Sequence, residues 1–218
     1  MKKRNLLVLS LIATLVFVSC NQNPKSSANT DTPKEVATAD GDNYNVDSTL
    51  SNIHWKAYHA GGLRPRFGTI ATDGAIKINN NKIVSGSFTI YMTSIKTDKE
   101  SVNPDDSNGK NHIDLDNHLK NEDFFEVSKY PLAKFELTEI KELQNDSIQV
   151  FGNLTLKDKT LNVNFPAKTI IANDKLNLEA NFTINRKDWG ITYLTEGDPR
   201  DWIISNNVDL KLNILAKK

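Results

Sequence analysis

The chain has 218 residues, with 27 basic and 27 acidic side chains and a formal net charge of zero. A single cysteine excludes a disulfide framework and a thiolate metal cluster. The only basic cluster is N-terminal, at Lys2, Lys3 and Arg4, and without it 24 basic face 27 acidic side chains. No basic stripe of the kind that binds nucleic acid remains, so we expect no nucleic-acid partner.

Residues 1–19 have the form of an export signal. Three basic residues precede the apolar run LLVLSLIATLVFV, which is short for a membrane span and ends at Ser19 and Cys20. The segment VFVSC resembles the lipobox of bacterial lipoproteins, in which the signal peptidase cuts before the cysteine and the thiol is acylated. We therefore predict a lipoprotein signal peptide over residues 1–19 and acylation of Cys20, for example with palmitate, rather than an ordinary buried cysteine.

The acyl chains on Cys20 would anchor the exported protein in a membrane of the cell envelope. Asn21 rather than aspartate follows the cysteine. By resemblance to lipoprotein sorting in diderm bacteria, this favours the outer membrane, with the protein facing the periplasm or the surface. Residues 20–45 are polar, so we predict that they form the acylated cysteine and a flexible tether. As a coil of about 25 residues, this tether would span roughly 28 Å.

Residues 46–218 carry a period-two pattern that predicts a β domain with one dry face. In one run, Leu176, Leu178 and Ala180 alternate with polar residues, and similar runs recur along the domain. Turn sequences such as Asn79-Asn80-Asn81 separate the runs, and short connections favour antiparallel neighbours. About eight strands in series are typical of a sandwich or an up-and-down barrel.

One long segment, Lys96 to Pro131, lacks a strand pattern. We expect a short helix near residues 111–119 within it, and an excursion of this length is more often functional than not. It contains the pair Phe124 and Phe125 among polar residues. We expect both rings to anchor the excursion to the barrel, Phe125 to face a cavity mouth, and Asp123 to cap a turn.

Five segments occur in order along the chain: WKAYHAGG at 55–62, GSFTIYMTSIKT at 86–97, HLKNEDFFEVSKYPLAKFE at 118–136, GNLTLKDKT at 152–160 and INRKDWGITY at 184–193. Together they resemble the YceI-like family of exported lipid-binding proteins. The resemblance implies an all-β fold: a lipocalin-like, eight-stranded antiparallel β-barrel with a short helical excursion. It also implies an interior cavity that holds a polyisoprenoid or quinone-like lipid. The segment NPDDSNGKN at 103–111 looks longer than is usual in the family.

Candidate ligand contacts fall into an apolar and a basic group. The apolar group would line the cavity, although a plain packed core would use the same residue types. The basic group would meet a quinone or phosphate head at the mouth, and its alternative role is to brace loops. The apolar candidates are Trp55, Phe67, Phe88, Ile90, Phe125, Phe135, Phe182 and Trp189; the basic candidates are Arg66, His118 and Arg186.

Catalytic and metal-binding patterns are missing from the sequence. The cluster HIDLDNH, with His112, Asp116 and His118, does not have a metal-ligand spacing, and no GxSxG nucleophile elbow occurs. We therefore expect no metal, no catalysis and no cofactor other than a bound isoprenoid or quinone-like lipid. The leading hypothesis is a membrane-tethered binding protein for such a lipophilic molecule. The alternative is a filled barrel that acts as an envelope interaction or structural module; the oligomeric state, a dimer included, is left open.

Overall fold

A computed structural model of the chain describes residues 26–199 and 202–218. The predicted signal peptide and Cys20 lie outside these residues. The described part contains thirteen strands and one α-helix. The helix α1 is His112–Lys120. The strands are β1 Ser26–Ser27, β2 Asn29–Asp31, β3 Asp42–Val46, β4 Asn52–His59, β5 Leu63–Ile70, β6 Thr72–Asn79, β7 Lys82–Tyr91, β8 Lys96–Thr97, β9 Leu132–Glu142, β10 Ser147–Leu156, β11 Lys159–Ala172, β12 Lys175–Asn185 and β13 Asn207–Lys217.

The main strands close into an antiparallel eight-stranded barrel, as predicted. The strands β3 and β4 act as one barrel strand, because both pair with β13, at Val46 opposite Ala216 and at Asn52 opposite Asn213. The strands β5 and β6 likewise follow one another along β4 and β3. The remaining neighbours pair in the order β6, β7, β9, β10, β11, β12 and β13. Closure leaves every one of these strands paired on both sides over part of its length.

Tight turns join most neighbouring strands, and two of them carry the residues that such turns require. Asn80 and Asn81 between β6 and β7, and Asn173 and Asp174 between β11 and β12, all have positive φ angles between 50° and 60°. Asparagine and aspartate tolerate this left-handed conformation, which matches the twist of the flanking strands. The turn predicted at Asn79-Asn80-Asn81 is confirmed.

The segment before the barrel is not a free tether. We call residues 26–41 the strap, because they run along the barrel wall. The short strands β1 and β2 lie where β11 and β12 separate: β1 pairs with β12 at Phe182, and β2 pairs with β11 at Val163. The strap continues over the outer wall, where the Ala37 N–H donates to the Leu137 carbonyl over 2.8 Å. The prediction of a flexible tether over residues 20–45 is therefore wrong for residues 26–45, and the barrel begins at Asp42 instead of residue 46.

The physical reason is that the strap attaches mainly through its backbone. Its side chains are polar, so a count of apolar residues predicted too little burial to order it. Backbone N–H and C=O groups, however, pair with any strand edge that is left open. The side-chain amide of Asn153 adds to this, since it accepts from Lys34 N over 3.0 Å and donates to Lys34 O over 2.7 Å.

The excursion between β7 and β9 folds over one end of the barrel. Asn111 caps α1, because its side chain accepts from Ile113 N over 2.8 Å while Asp114 accepts in return from Asn111 N. Asp116 then docks the helix by accepting from Thr97 N over 2.6 Å. The helix predicted near residues 111–119 is confirmed. The turn that follows is capped by Asn121, whose side chain accepts from Asp123 N, and not by Asp123 as predicted.

Candidate ligand-binding site

The inner faces of the barrel strands enclose an apolar cavity of about 200 Å³. An engineered apolar cavity of roughly 150 Å³ in another protein admits benzene, so this one has room for a ring-sized or short-chain molecule. Hydrocarbon side chains make up nearly all of the wall. The structure brings together seven of the predicted ligand contacts on this wall: Trp55, Phe88, Ile90, Phe125, Phe135, Phe182 and Arg186.

Four phenylalanine rings in contact occupy part of the interior, and we call them the phenylalanine file. The ring centroids of Phe88 and Phe135 are 6.2 Å apart, and those of Phe135 and Phe165 are 5.9 Å apart. Phe165 stacks on Phe182 at 4.1 Å with an angle of 4° between the rings. Phe165 was not among the predicted contacts, although the alternation of Leu161, Val163 and Phe165 places its side chain on the dry face.

A glycine in the wall makes room for one of these rings. A Cβ atom built on Gly152 would lie 2.1 Å from Cζ of Phe135, far inside van der Waals contact. Any side chain at this position would therefore push the Phe135 ring away. The size of residue 152 thus sets how far Phe135 withdraws from the cavity.

Side chains of the excursion close one end of the cavity. Met92, Ile95, Leu119, Phe124 and Phe125 all line it. Phe125 was predicted to face the cavity, and it does. Phe124, predicted only as an anchor, lines the cavity as well and is the more buried of the two. The ring of Phe124 also packs against His118 at 5.0 Å and Tyr193 at 5.3 Å, so it serves both purposes.

Arg186 is the one cation among the side chains that line the cavity. The residue is 4% exposed, and its guanidinium donates to three backbone carbonyls, those of Ser205 at 3.1 Å, Ile191 at 3.1 Å and Ile204 at 3.0 Å. Burial lowers the pKa of the Arg186 guanidinium, and the charge of Glu196 opposes this shift. The side chain remains a cation nevertheless, since arginine does not lose its proton in proteins. Arg186 thus holds the loop between β12 and β13 in place while bordering the cavity.

The other two basic candidates brace the excursion. Arg66 donates to the Ser101 carbonyl over 2.5 Å and to the Ser107 hydroxyl over 3.2 Å. His118 Nε2 lies 2.8 Å from a carboxylate oxygen of Asp123. Neither side chain is part of the cavity wall. Their contact with a ligand head stays a prediction, and their observed geometry is that of loop bracing.

Two apolar candidates, Phe67 and Trp189, do not line this cavity, and their contact with a ligand stays a prediction. Phe67 pairs with Lys56, whereas its neighbour Gly68 pairs with Trp55, so Phe67 lies on the outer face of β5. A Cβ atom at Gly68 would lie 1.9 Å from the Lys96 carbonyl oxygen, so glycine at this position allows the backbone of β8 to approach closely. Trp189 is buried at 2% exposure in the 3₁₀ turn after β12. Its indole N–H donates to the Leu154 carbonyl over 3.2 Å, so it packs beside the wall and not inside it.

The described residues place the candidate metal cluster in structural roles. Asp114 caps α1, Asp116 docks it to β8, and His118 contacts Asp123. Within residues 26–199 and 202–218, no group of three or more His, Cys, Asp or Glu side chains is arranged to hold a metal ion. None of the helices in this part of the chain has the length and apolarity that a membrane span requires.

Comparison with protein families gives a match that covers most of the chain. The YceI-like domain matches residues 44–216, nearly the whole barrel. The chain belongs to the YceI-like domain family. Its curated relatives include UPF0312 proteins of Pseudomonas aeruginosa strain LESB58 and Yersinia pestis strain Pestoides F, each 39% identical, over 113 and 114 residues respectively. Each alignment covers 49% of this chain and 59% of the relative, so the chain spans little more than half the length of these YceI-like relatives.

Solved structures with the same fold come from several bacteria. BcnA of Burkholderia cenocepacia superposes with a TM-score of 0.61 at 18% identity, covering 79% of this chain and 99% of that one. The YCEI protein of Campylobacter jejuni gives 0.53 at 14% identity, covering 95% and 99%. A polyisoprenoid binding domain from Saccharophagus degradans gives 0.53 at 14% identity, covering 84% and 99%. These likenesses show that this YceI-like chain shares a closed barrel fold with a domain described as binding polyisoprenoids.

Proposed function

We propose that the protein binds a lipophilic molecule, polyisoprenoid or quinone-like, inside the barrel. The observation that carries this proposal is the apolar cavity lined by the inward-facing strand residues and closed at one end by Phe124 and Phe125. The description of the Saccharophagus degradans domain as polyisoprenoid-binding supports the choice of ligand class. Burial alone would drive binding, since each Å² of apolar surface removed from water contributes about 25 cal/mol.

The size of the cavity bears on how such a ligand fits. A volume of about 200 Å³ lies below the range of roughly 300–1,000 Å³ that is usual for small-molecule sites. A chain of several prenyl units therefore needs more room than the phenylalanine file leaves. All four rings of the phenylalanine file line the cavity. A change of their rotamers would enlarge the cavity at a moderate cost in energy. We infer that a long ligand enters by displacing rings of the file, whereas a short one enters without this change.

The test is native mass spectrometry of the full chain with Cys20→Ala, purified without detergent from its exported pool. We expect a discrete added mass that organic solvent releases. A matched pair of variants makes the result specific to the cavity: Ala57→Leu fills the wall that lines it, whereas Lys56→Leu adds the same side chain on the outer face. The added mass should fall in Ala57→Leu and persist in Lys56→Leu. A clean protein mass that incubation with quinones and polyprenols leaves unchanged would support the filled-barrel module instead.

The membrane anchor is a second part of the proposal. We propose that the protein is exported, acylated at Cys20 and held at the outer membrane, because of the sequence before and after that cysteine. With the unmodified cysteine, we expect the protein in the membrane fraction. With Cys20→Ala, it should move to the soluble fraction. Retention of the Cys20→Ala chain in the membrane fraction would contradict acyl anchoring.

A further inference from the structure

The strap fills a gap in the wall of the barrel. The pairing of β11 with β12 ends at Ala167 opposite Ala180, and the two strands then separate. We call the space between residues 161–166 of β11 and 181–185 of β12 the seam. Residues 26–31 of the strap lie in the seam, since β1 pairs with β12 and β2 pairs with β11. At this position, a segment that precedes the eight barrel strands therefore completes the wall.

Two rings of the phenylalanine file lie directly behind the seam. If the ladder of Ala167 with Ala180 continued, its next inward-facing pair would be Phe165 and Phe182. Both rings line the cavity, and their centroids are 4.1 Å apart. A molecule that passed through the seam would thus meet this stacked pair first and then the cavity.

The strap covers the seam with few attachments. Of residues 26–31, only Ala28 is apolar, and it packs against the core while partly buried. The Oγ atom of Ser26 is buried and has no hydrogen-bond partner among the described residues, which weakens the attachment. The other attachments are mainly backbone pairs, together with an exposed hydrogen bond of 3.2 Å from the Thr30 hydroxyl to the Asp188 carboxylate. Segments that bury so little apolar surface open locally at a low cost in free energy.

The two ends of the barrel are closed more firmly. At the excursion end, Leu119, Phe124 and Val127 are buried, and a movement of the excursion would expose these large side chains to water. At the opposite end, Tyr44 and Leu176 are buried within β3 and β12, so access there requires the strand ladder itself to separate. Of these three routes to the cavity, the seam exposes the least apolar surface when it opens.

The strap also covers a second gap, between β7 and β9, but it is held differently there. The ladder of these strands ends at Ser87 opposite Glu136. Residues 37–41 of the strap pass beside this gap, where the Ser85 hydroxyl donates to the Ala39 carbonyl over 3.3 Å. These strap residues lead directly into the barrel strand β3, so they cannot detach without disturbing that strand. The first part of the strap has no such constraint.

We propose that the seam is a lateral portal, through which a lipophilic molecule enters and leaves the barrel when residues 26–31 detach from β11 and β12. This inference rests on the proposed function and adds the route by which the ligand reaches the cavity. The strap then controls the rates of uptake and release. Its closed position is the same before and after loading, so holding it closed changes both rates and leaves the affinity unchanged.

The test holds the strap closed with a disulfide, in the full chain with Cys20→Ala. Asn29 and Asn164 are directly opposite each other in the ladder of β2 with β11, so Asn29→Cys with Asn164→Cys joins the strap to the wall. The matched control is Lys168→Cys with Glu179→Cys, an opposite pair at which β11 and β12 are already joined.

The probe is N-phenylnaphthylamine, an uncharged fluorescent lipophile, and stopped-flow fluorescence measures its uptake. We expect the oxidised strap variant to take up the probe at least about tenfold more slowly than its reduced form, with the same Kd. The control pair should show equal uptake rates when oxidised and when reduced. A difference in rate without a difference in Kd separates a portal from a general distortion of the cavity.

Asn153→Ala tests the same step in the opposite direction. The change removes the two hydrogen bonds that hold the strap at Lys34, so uptake should become about three- to tenfold faster. Equal uptake rates of the oxidised and reduced strap variant, or the parental rate in Asn153→Ala, would overturn the portal. The proposed function would then still stand, because the probe binds. Absence of probe uptake in the parent chain would contradict the proposed function and the portal with it.

Discussion

Arg186 shows at the scale of one residue how this barrel accommodates a charge. A buried cation usually has an anionic partner, yet the described acceptors of Arg186 are neutral carbonyls at positions 191, 204 and 205. Three peptide dipoles from one loop share the charge. The planar guanidinium suits this, since its donors point in fixed and different directions. The same residue therefore fixes the loop between β12 and β13 and contributes to the cavity wall.

We expect Arg186→Lys to destabilise the protein by about 2–4 kcal/mol, even though the charge is kept. The ammonium group is a single point of donation and cannot reach three separated carbonyls at once. Urea unfolding measures the change. Lys187→Met, on the neighbouring exposed side chain, is the control and should stay within about 0.5 kcal/mol of the parent. A stability of Arg186→Lys equal to that of the control would show that the charge alone is needed.

Gly152 yields a prediction about the phenylalanine file. Gly152→Ala should force the Phe135 ring toward the cavity, reduce ligand binding and cost about 1–3 kcal/mol of stability. The double variant Gly152→Ala with Phe135→Leu should recover part of both losses, because the shorter side chain no longer meets the new methyl group. Gly86→Ala is the control for stability, since its added Cβ would have ordinary contacts, the nearest at 3.4 Å from the Ala75 carbonyl oxygen. Strictly additive effects in the double variant would refute the contact.

Sequence reasoning could place most of the cavity residues but not all of them, and the register of β5 explains why. Alternation identifies two faces of a strand without saying which one is inside. In LRPRFGTI, Phe67 is the conspicuous apolar residue, yet the pairing of Gly68 with Trp55 turns Phe67 outward. The alternation in β12 is long and regular, and Phe182 on its dry face lines the cavity. The partners of Arg186 and Trp189 are backbone carbonyls, which no side-chain pattern reveals.

Among the elements, the strap was the largest departure from expectation. Its order comes from paired backbone groups and from Asn153, which is itself held by a donation from Asn162 over 3.0 Å. The buried amides of Asn153 and Asn162 lie on the outward side of β10 and β11, where alternation predicts solvent. They mark positions where a further segment of chain covers the barrel. From the sequence alone, a polar residue on the outer face of a strand does not show whether it is exposed to solvent or covered by another segment.

We expect Asn153→Ala to release the strap without opening the barrel. The change removes both hydrogen bonds to the Lys34 backbone and should cost about 1–3 kcal/mol. Hydrogen exchange should rise in residues 28–40 and stay low in β12 and β13. Asn177→Ala, on an exposed position of β12, is the control and should leave the exchange pattern unchanged. Protection of residues 28–40 equal to that of the parent would show that the backbone bonds suffice.

On the scale of the whole molecule, the barrel closes where its first and last strands meet. Val46 of β3 pairs with Ala216 of β13, and the ion pair of Asp47 with Lys217 lies directly beside this junction at 2.6 Å. The hydroxyl and backbone N–H of Thr49 also donate to the Asp47 carboxylate. The hydrogen bond from Lys217 and that from Thr49 lower the pKa of Asp47 to about 2. The ion pair of Asp47 with Lys217 therefore joins the first and last barrel strands, and the Asp47 carboxylate stays charged in mild acid.

This junction has a defined pH dependence. The pKa of Asp47 in the folded state is below its ordinary value of 3.8, so its contribution to stability is present above that value and is lost as the pH falls toward 2. Carbon-detected NMR titration of the Asp47 carboxylate should give a midpoint near 2. In Lys217→Met, the midpoint should move back toward 3.8, whereas Lys211→Met on the same strand should leave it in place. A midpoint of 3.8 in the parent chain would contradict the role of Lys217.

The strap also limits how far the barrel could lie from the membrane anchor that we propose at Cys20. A flexible linker of about 25 residues would allow a large separation, but Ser26 already pairs with Phe182 of β12 in the barrel wall. With Cys20 acylated, only six residue steps separate the lipid chains from that wall, a reach of at most about 22 Å. This is less than the thickness of a lipid bilayer. If Cys20 is acylated as proposed, the barrel would therefore lie close to the membrane leaflet that holds the acyl chains.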